Sequence, residues 1–150
     1  MEERGSYMHF EHDKLEIHQR EREGVVILDL KGHLVLGCGD FVLREAVESL
    51  FDQGNRQLIL NFGEVADIDT SGAGTILALA QQYHAAGGKL VLFQLGHPHE
   101  ELYEKARLEA NLEICSLELD AVNSFFPDRA VSHYDILDYI DHRNNPEKKI

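Results

Sequence analysis

The stretch Val65-Ala-Asp-Ile-Asp-Thr-Ser-Gly-Ala-Gly-Thr75 crowds carboxylates, hydroxyls and glycines into eleven residues. It lies between an apolar run, Gln57–Phe62, and a segment with helical spacing expected over 71–86. That places it at the carboxyl end of a strand, where open α/β sheets put their sites. Ser71 is expected in the first helical turn, and Gly72 and Gly74 let the backbone lie close to whatever approaches. On residue types alone, a hydroxyl at that place is either a helix N-cap or a phosphoacceptor. Phosphorylation would add about −1.5 to −2 charges, which a helix N-terminus tolerates and the neighbouring Asp67 and Asp69 oppose.

Enzymatic uses of the same residues fail on spacing. A hydrolase nucleophile elbow needs glycine two positions before the serine, where Asp69 stands. A phosphate-binding P-loop needs a lysine after its last glycine, and no lysine occurs between Arg56 and Lys89. A dinucleotide fingerprint would need a third glycine at Leu77. His84 is thirteen residues along the same helix from Ser71, about 20 Å away and out of reach as a base. Neither His97-Pro-His99 nor His9-x-x-His12 is joined by further ligands at zinc spacing, so surface and capping roles are expected for them and no metal or cofactor. Cys38 and Cys115 have no CxxC spacing and no local basic activator, and read as small core or loop residues.

The elements that must hold this loop alternate along the chain. Leu15–Gln19 reads as a half-buried strand with Leu15 and Ile17 on one face. A hairpin turn over Glu21–Gly24 leads to Val25–Leu30, which is apolar on both faces as a central strand would be. After a loop over His33–Gly39, Asp40 is placed to cap a helix that buries Leu43, Ala46, Val47, Leu50 and Phe51, and Gly54-Asn55 stops it. The strand Gln57–Phe62, a loop over Gly63–Thr70 and a second helix with Ile76, Leu77, Ala80 and Tyr83 inward follow. Lys89–Phe93 reads as a strand, Pro98 to about Arg107 as a third helix burying Leu102 and Ala106, and Leu112–Cys115 as a short strand. Ser116 is expected to cap a fourth helix ending near Phe126. Tight strand–helix alternation implies an α/β domain with a mostly parallel sheet and one antiparallel strand at its start.

The expected organisation is a leader over 1–14, with Met8 as an alternative start, one domain over 15–126, and a C-terminal extension over 127–150. In the extension Val131, Tyr134, Leu137 and Ile140 recur at helical spacing, which suits a docked helix or a contact with a partner or a second copy. The chain carries 27 acidic and 14 basic residues, a net charge of −13, and no basic cluster, so direct nucleic-acid binding is not expected. No apolar run approaches the roughly 20 residues that span a bilayer, and neither a signal-peptide core nor a disulfide pattern is evident, which fits the cytoplasm.

Asp69-Thr-Ser-Gly72, following Leu58–Phe62 and preceding a helix that ends in Gly87-Gly88-Lys-Leu-Val, resembles the signature of the STAS domain, and more narrowly that of bacterial anti-sigma factor antagonists. The similarity covers roughly residues 15–126. It implies a single STAS domain with about four helices, acting as a protein-binding module and not as an enzyme. It also implies that Ser71, directly before the glycine, is phosphorylated by an anti-sigma factor that is itself a serine kinase, with Thr70 the second choice. In that family the unphosphorylated antagonist holds the anti-sigma factor, the phosphorylated form is released, and a phosphatase resets it. The partner-facing residues implied here are Gly32, His33, Asp67, Asp69, Thr70, Ser71, Gly72 and Gly74, with the Gly32–Asp40 loop as a rim of the contact. Two positions depart from the family pattern. Thr70 replaces a serine, and Gly32-His-Leu-Val35 ends in valine where many members have a partner-facing aspartate. A different use of the same fold, as an unphosphorylated subunit of a transporter or stress-signalling assembly, is the alternative.

Overall fold

A computed structural model describes residues 14–96, Leu102 and residues 112–131. The chain opens with a hairpin, β1 (Leu15–Arg22) and β2 (Val25–Leu34), joined through Glu23 and Gly24. Arg22 pairs with Val25, so the turn has two residues, and both have positive φ (54° and 83°). This is the turn geometry whose twist matches that of paired strands. Helix α1 (Cys38–Asp52), strand β3 (Gln57–Ile68), helix α2 (Thr70–Ala85), strand β4 (Lys89–Phe93), strand β5 (Glu113–Cys115) and a short helix α3 (Glu118–Asn123) follow. The five strands lie side by side in sequence order, with β1 antiparallel and the rest parallel. The α/β class and the antiparallel first strand are as the sequence implies.

Strands buried on both faces make two cores. On one face Leu28, Leu30, Leu58, Leu60, Phe62, Leu90 and Leu92 meet Leu43, Val47 and Leu50 of α1 and Ile76, Leu79, Ala80 and Tyr83 of α2, together with Leu102. On the other, Val25, Ile27, Ile59, Val91, Phe93 and Cys115 meet Ala121 and Val122 of α3, with Phe125, Phe126 and Val131 packed alongside. Burial of Cys115 raises its thiol pKa to about 12, with Glu113 and Asp120 adding to the effect, which suits a small core residue.

Several elements differ from the sequence expectation. Helix α1 begins at Cys38, with Gly37 at the cap position and no side-chain cap, so Asp40 stands inside the first turn and does not cap it. Gly39 explains the early start: a Cβ there would collide with the His33 carbonyl, so the first turn lies directly on the end of β2. Strand β3 runs on to Ile68 through what looked like a loop. Two register shifts against β2, between Asp29 and Lys31 and between Gly32 and His33, absorb its extra residues. In α2 it is Leu79, not Leu77, that is fully buried. Ser116 does not cap α3, which starts after Leu117 with no side-chain cap bond and ends at Asn123, short of Phe126. Three helices are bounded among the described residues. The expected helix over 98–107 lies outside them except for Leu102, which is helical and buried, and the leader and residues 132–150 lie outside them as well.

Candidate functional site

Leu34 and Ile68 are register partners at the ends of β2 and β3, so the two chains leave the sheet side by side. A three-residue loop leads from β2 into α1 and one residue from β3 into α2, so the two helices start next to one another at the carboxyl edge of the sheet. Gly72 makes the approach possible, because a Cβ there would collide with the Leu34 carbonyl oxygen.

Asp69 is the N-cap of α2. Its Oδ1 accepts from the Gly72 N–H at 2.8 Å, while Oδ2 accepts from the Leu36 N–H at 3.0 Å. One carboxylate thus ties the β2–α1 loop to the start of α2. Ser71, which sequence reasoning allowed as the cap, is in the first turn, and its hydroxyl donates to Asp40 Oδ2 at 2.8 Å. Asp40 is only 5% exposed. Further along, an Arg44 guanidinium N–H donates to Thr75 Oγ1 at 3.2 Å. Two hydrogen bonds therefore cross between α1 and α2, one in each direction.

Beside this seam two apolar side chains are exposed. Leu36 is 72% exposed and Phe41 55%, in the loop before α1 and in its first turn. Thr70 is exposed and Ser71 half-buried, so the first-choice hydroxyl points inward to Asp40. The helix starts carry partial positive charge, and Asp40 and Asp69 place carboxylates there.

The residues singled out from the sequence fall into three groups. Asp69, Thr70, Ser71 and Gly72 form the start of α2. His33 and Asp67 are a pair on the strand ends, with Nδ1 and Oδ1 2.7 Å apart. Gly32, at φ 120°, lies against the Lys14 carbonyl, where a Cβ would collide, which gives it a reason internal to the fold. Gly74 has open space where a Cβ would go. Leu36 and Asp40 belong to the Gly32–Asp40 segment expected at the rim of the contact, whereas Phe41 and the bond between Asp40 and Ser71 were missed. An Asp40 cap places the helix three residues late, since the observed cap is Gly37, whereas Phe41, off the Leu43–Val47–Leu50 stripe, was legible as an outward-facing aromatic. Val35, the departure from the family pattern, has its carbonyl bonded by the Asp40 N–H at 3.1 Å.

No group of three or more metal-ligating side chains is assembled among the described residues, and no helix among them is long and apolar enough to cross a membrane.

Comparison with known proteins places this geometry. The fold is similar to that of TM1081 from Thermotoga maritima (TM-score 0.65, 18% identity, covering 72% of this chain and 92% of that one). It is similar to an anti-sigma factor antagonist from Mycobacterium paratuberculosis (TM-score 0.64, 12% identity, 75% of this chain and 94% of that one). It is also similar to the Bacillus anti-sigma factor antagonist SpoIIAA in its unphosphorylated form (TM-score 0.57, 20% identity, 74% and 96%). SpoIIAA has been solved in a phosphorylated form too, which matches equally well (TM-score 0.57, 18% identity, 73% and 99%). The STAS domain family model matches residues 16–121, a span that contains the whole sheet but for Leu15, both long helices and the Ser71 seam between them; the chain belongs to the STAS domain family.

Proposed function

We propose that this chain is an anti-sigma factor antagonist, a binding module and not an enzyme, switched by phosphorylation of Ser71. The observation that carries the reading is the place of Ser71: in the first turn of α2, at the carboxyl edge of the sheet, with exposed Leu36 and Phe41 beside it. In its unphosphorylated state the module holds an anti-sigma factor with serine kinase activity through the starts of α1 and α2. Phosphate at Ser71 adds about −1.5 to −2 charges beside Asp40 and Asp69. Burying that charge in an interface costs several kcal/mol, and each 1.4 kcal/mol is tenfold in affinity. A phosphatase then restores the binding form. This cycle belongs in the cytoplasm, where kinase and sigma factor are found. The existence of SpoIIAA, of the same fold, in unphosphorylated and phosphorylated forms supports the reading.

The test compares Ser71→Ala and Ser71→Glu as baits in their native cells, with phosphosite mapping on the wild-type chain. Ser71→Ala should retain a kinase-like partner at least tenfold better than Ser71→Glu, and phosphate on Ser71 should change in occupancy between growing and stressed cells. Phosphate on Thr70 alone would move the acceptor by one residue. Equal retention by both baits with no phosphate on the chain would sink the reading in favour of a constitutive subunit.

A further inference from the structure

Among the described residues the buried polar side chains are Asp40 and Thr75, at 5% and 7% exposure, and both sit in the seam between α1 and α2. A carboxylate taken out of water is costly unless a donor compensates it. Here a compensating donor is the Ser71 hydroxyl, at 2.8 Å. Esterification of Ser71 at Oγ removes the hydrogen that Asp40 accepts and sets a dianion against the same buried carboxylate. Asp40 is also joined to the loop below it, since its N–H bonds the Val35 carbonyl at 3.1 Å, and Leu36 is held by Asp69.

We propose that Asp40 is the positioning residue of the Ser71 acceptor and the group through which phosphate at Ser71 is felt. In the free hydroxyl state it fixes the direction of the Ser71 O–H and locks the start of α1 to the start of α2. In the phosphorylated state it repels the phosphate, so the first turn of α1 shifts and carries Leu36 and Phe41 with it. The proposal rests on Ser71 as the modified residue and adds the group that reads the modification.

Phosphoserine installed at position 71 by genetic encoding tests it without any kinase or partner. Phosphorus NMR follows the second ionisation of the phosphate, ordinarily near 6, in the full-length chain and in Asp40→Asn. Other titratable groups at the same ends of these elements include Cys38, Arg44 and Glu45 of α1, Asp69 at the cap of α2, and the His33–Asp67 pair of β2 and β3. These are the same in both proteins, so the difference isolates Asp40. A like charge in contact should raise this pKa by about one unit over that in Asp40→Asn. Amide resonances of residues 36–41 should move further on phosphorylation in the wild-type background than in Asp40→Asn.

Phosphoserine placed at position 70 is the second measurement and needs no substitution of Asp40. Its titration should lie about one unit below that of phosphoserine at 71. Equal ionisation at 71 with and without Asp40, or equal ionisation at 70 and 71, overturns the proposal. Because the phosphate is installed without any kinase, such a failure leaves the partner switch standing, whereas the failure of the bait comparison above leaves the Asp40 contact standing.

Discussion

Two parts of the molecule gather acidic side chains, and they handle the charge in opposite ways. Across β1, β2 and α3, Arg20 lies in a double fork, donating to both oxygens of Asp29 (2.6 and 3.0 Å) and of Glu118 (2.8 and 3.0 Å). Arg22 adds a bond to Glu118 at 2.9 Å, and Asn61 donates to Asp29 at 2.8 Å. At the Ser71 seam Asp40 and Asp69 accept instead from a hydroxyl and from backbone N–H groups. In the first region the anions are matched by cations of the same chain, so the network is complete in itself and ties α3 to the hairpin. In the second they are matched by neutral donors and helix dipoles, and a new charge arriving there meets uncancelled carboxylates. The contrast separates a device that holds the fold from one suited to answering a change of state.

The largest test of that contrast acts on the two glycines of the seam. Gly72 has the Leu34 carbonyl where a Cβ would lie, whereas Gly74 has open space. Gly72→Ala should therefore lift the start of α2 and cost about 2–3 kcal/mol in urea unfolding. Gly74→Ala, in the same helix, should stabilise by about 0.5–1 kcal/mol, since alanine is the better helix former. If both substitutions cost the same, the seam is not the close backbone contact described here, and its geometry cannot set the position of Ser71.

An effect of intermediate size belongs to the ion-pair network. Hydrogen bonds from Arg20 hold the carboxyls of both Asp29 and Glu118 below their ordinary range, against the opposing effect of burial. A lowered folded-state pKa means stability that is fully present above the unfolded value near 4 and is lost as pH falls through the folded value. Arg20→Gln should cost about 1–2 kcal/mol at pH 7 and flatten the fall in stability below about pH 4. Urea unfolding followed from pH 7 to pH 2 checks it. A substitution that costs the same at both ends of that range would show that Arg20 acts through packing of its stem, and the network would no longer stand as the charge-matched half of the comparison.

Much of this was legible in the sequence, and the failures share a cause. Alternation located half-buried β1, and short continuous apolar runs located the strands covered on both faces, because each burial pattern leaves its own signature in the sequence. The Asp69–Gly72 motif located the start of α2 and its tight approach to β2, because a cap and a close-approach glycine are local requirements. Asp40 was misread because what places it is not local. Gly39 lets α1 begin against the His33 carbonyl, a contact between segments, and Asp40 then falls inside the helix facing Ser71 across the seam. The continuation of β3 to Ile68 was hidden for the same reason, since its register shifts are set by pairing with β2. The Arg20–Glu118 bond, 98 positions apart along the chain, left no trace that spacing could find.

The smallest expected effect on stability carries the sharpest functional meaning. Leu36 and Phe41 are exposed apolar side chains beside Ser71, and neither fills the core. Leu36→Ser and Phe41→Ser should each change unfolding free energy by no more than about 0.5 kcal/mol, as surface substitutions do. An apolar side chain that costs nothing to remove from the free protein is held in place by no internal packing, so any loss it causes in partner binding is a loss of contact with that partner. Apolar and aromatic anchors at the centre of an interface typically cost 1 kcal/mol or more, roughly, when truncated. Differential scanning calorimetry on the free chain, set beside retention of the partner captured by Ser71→Ala, separates the two quantities. Should either substitution destabilise the free chain by about 2 kcal/mol, that residue belongs to the core after all, and the apolar surface beside Ser71 is part of what holds the fold.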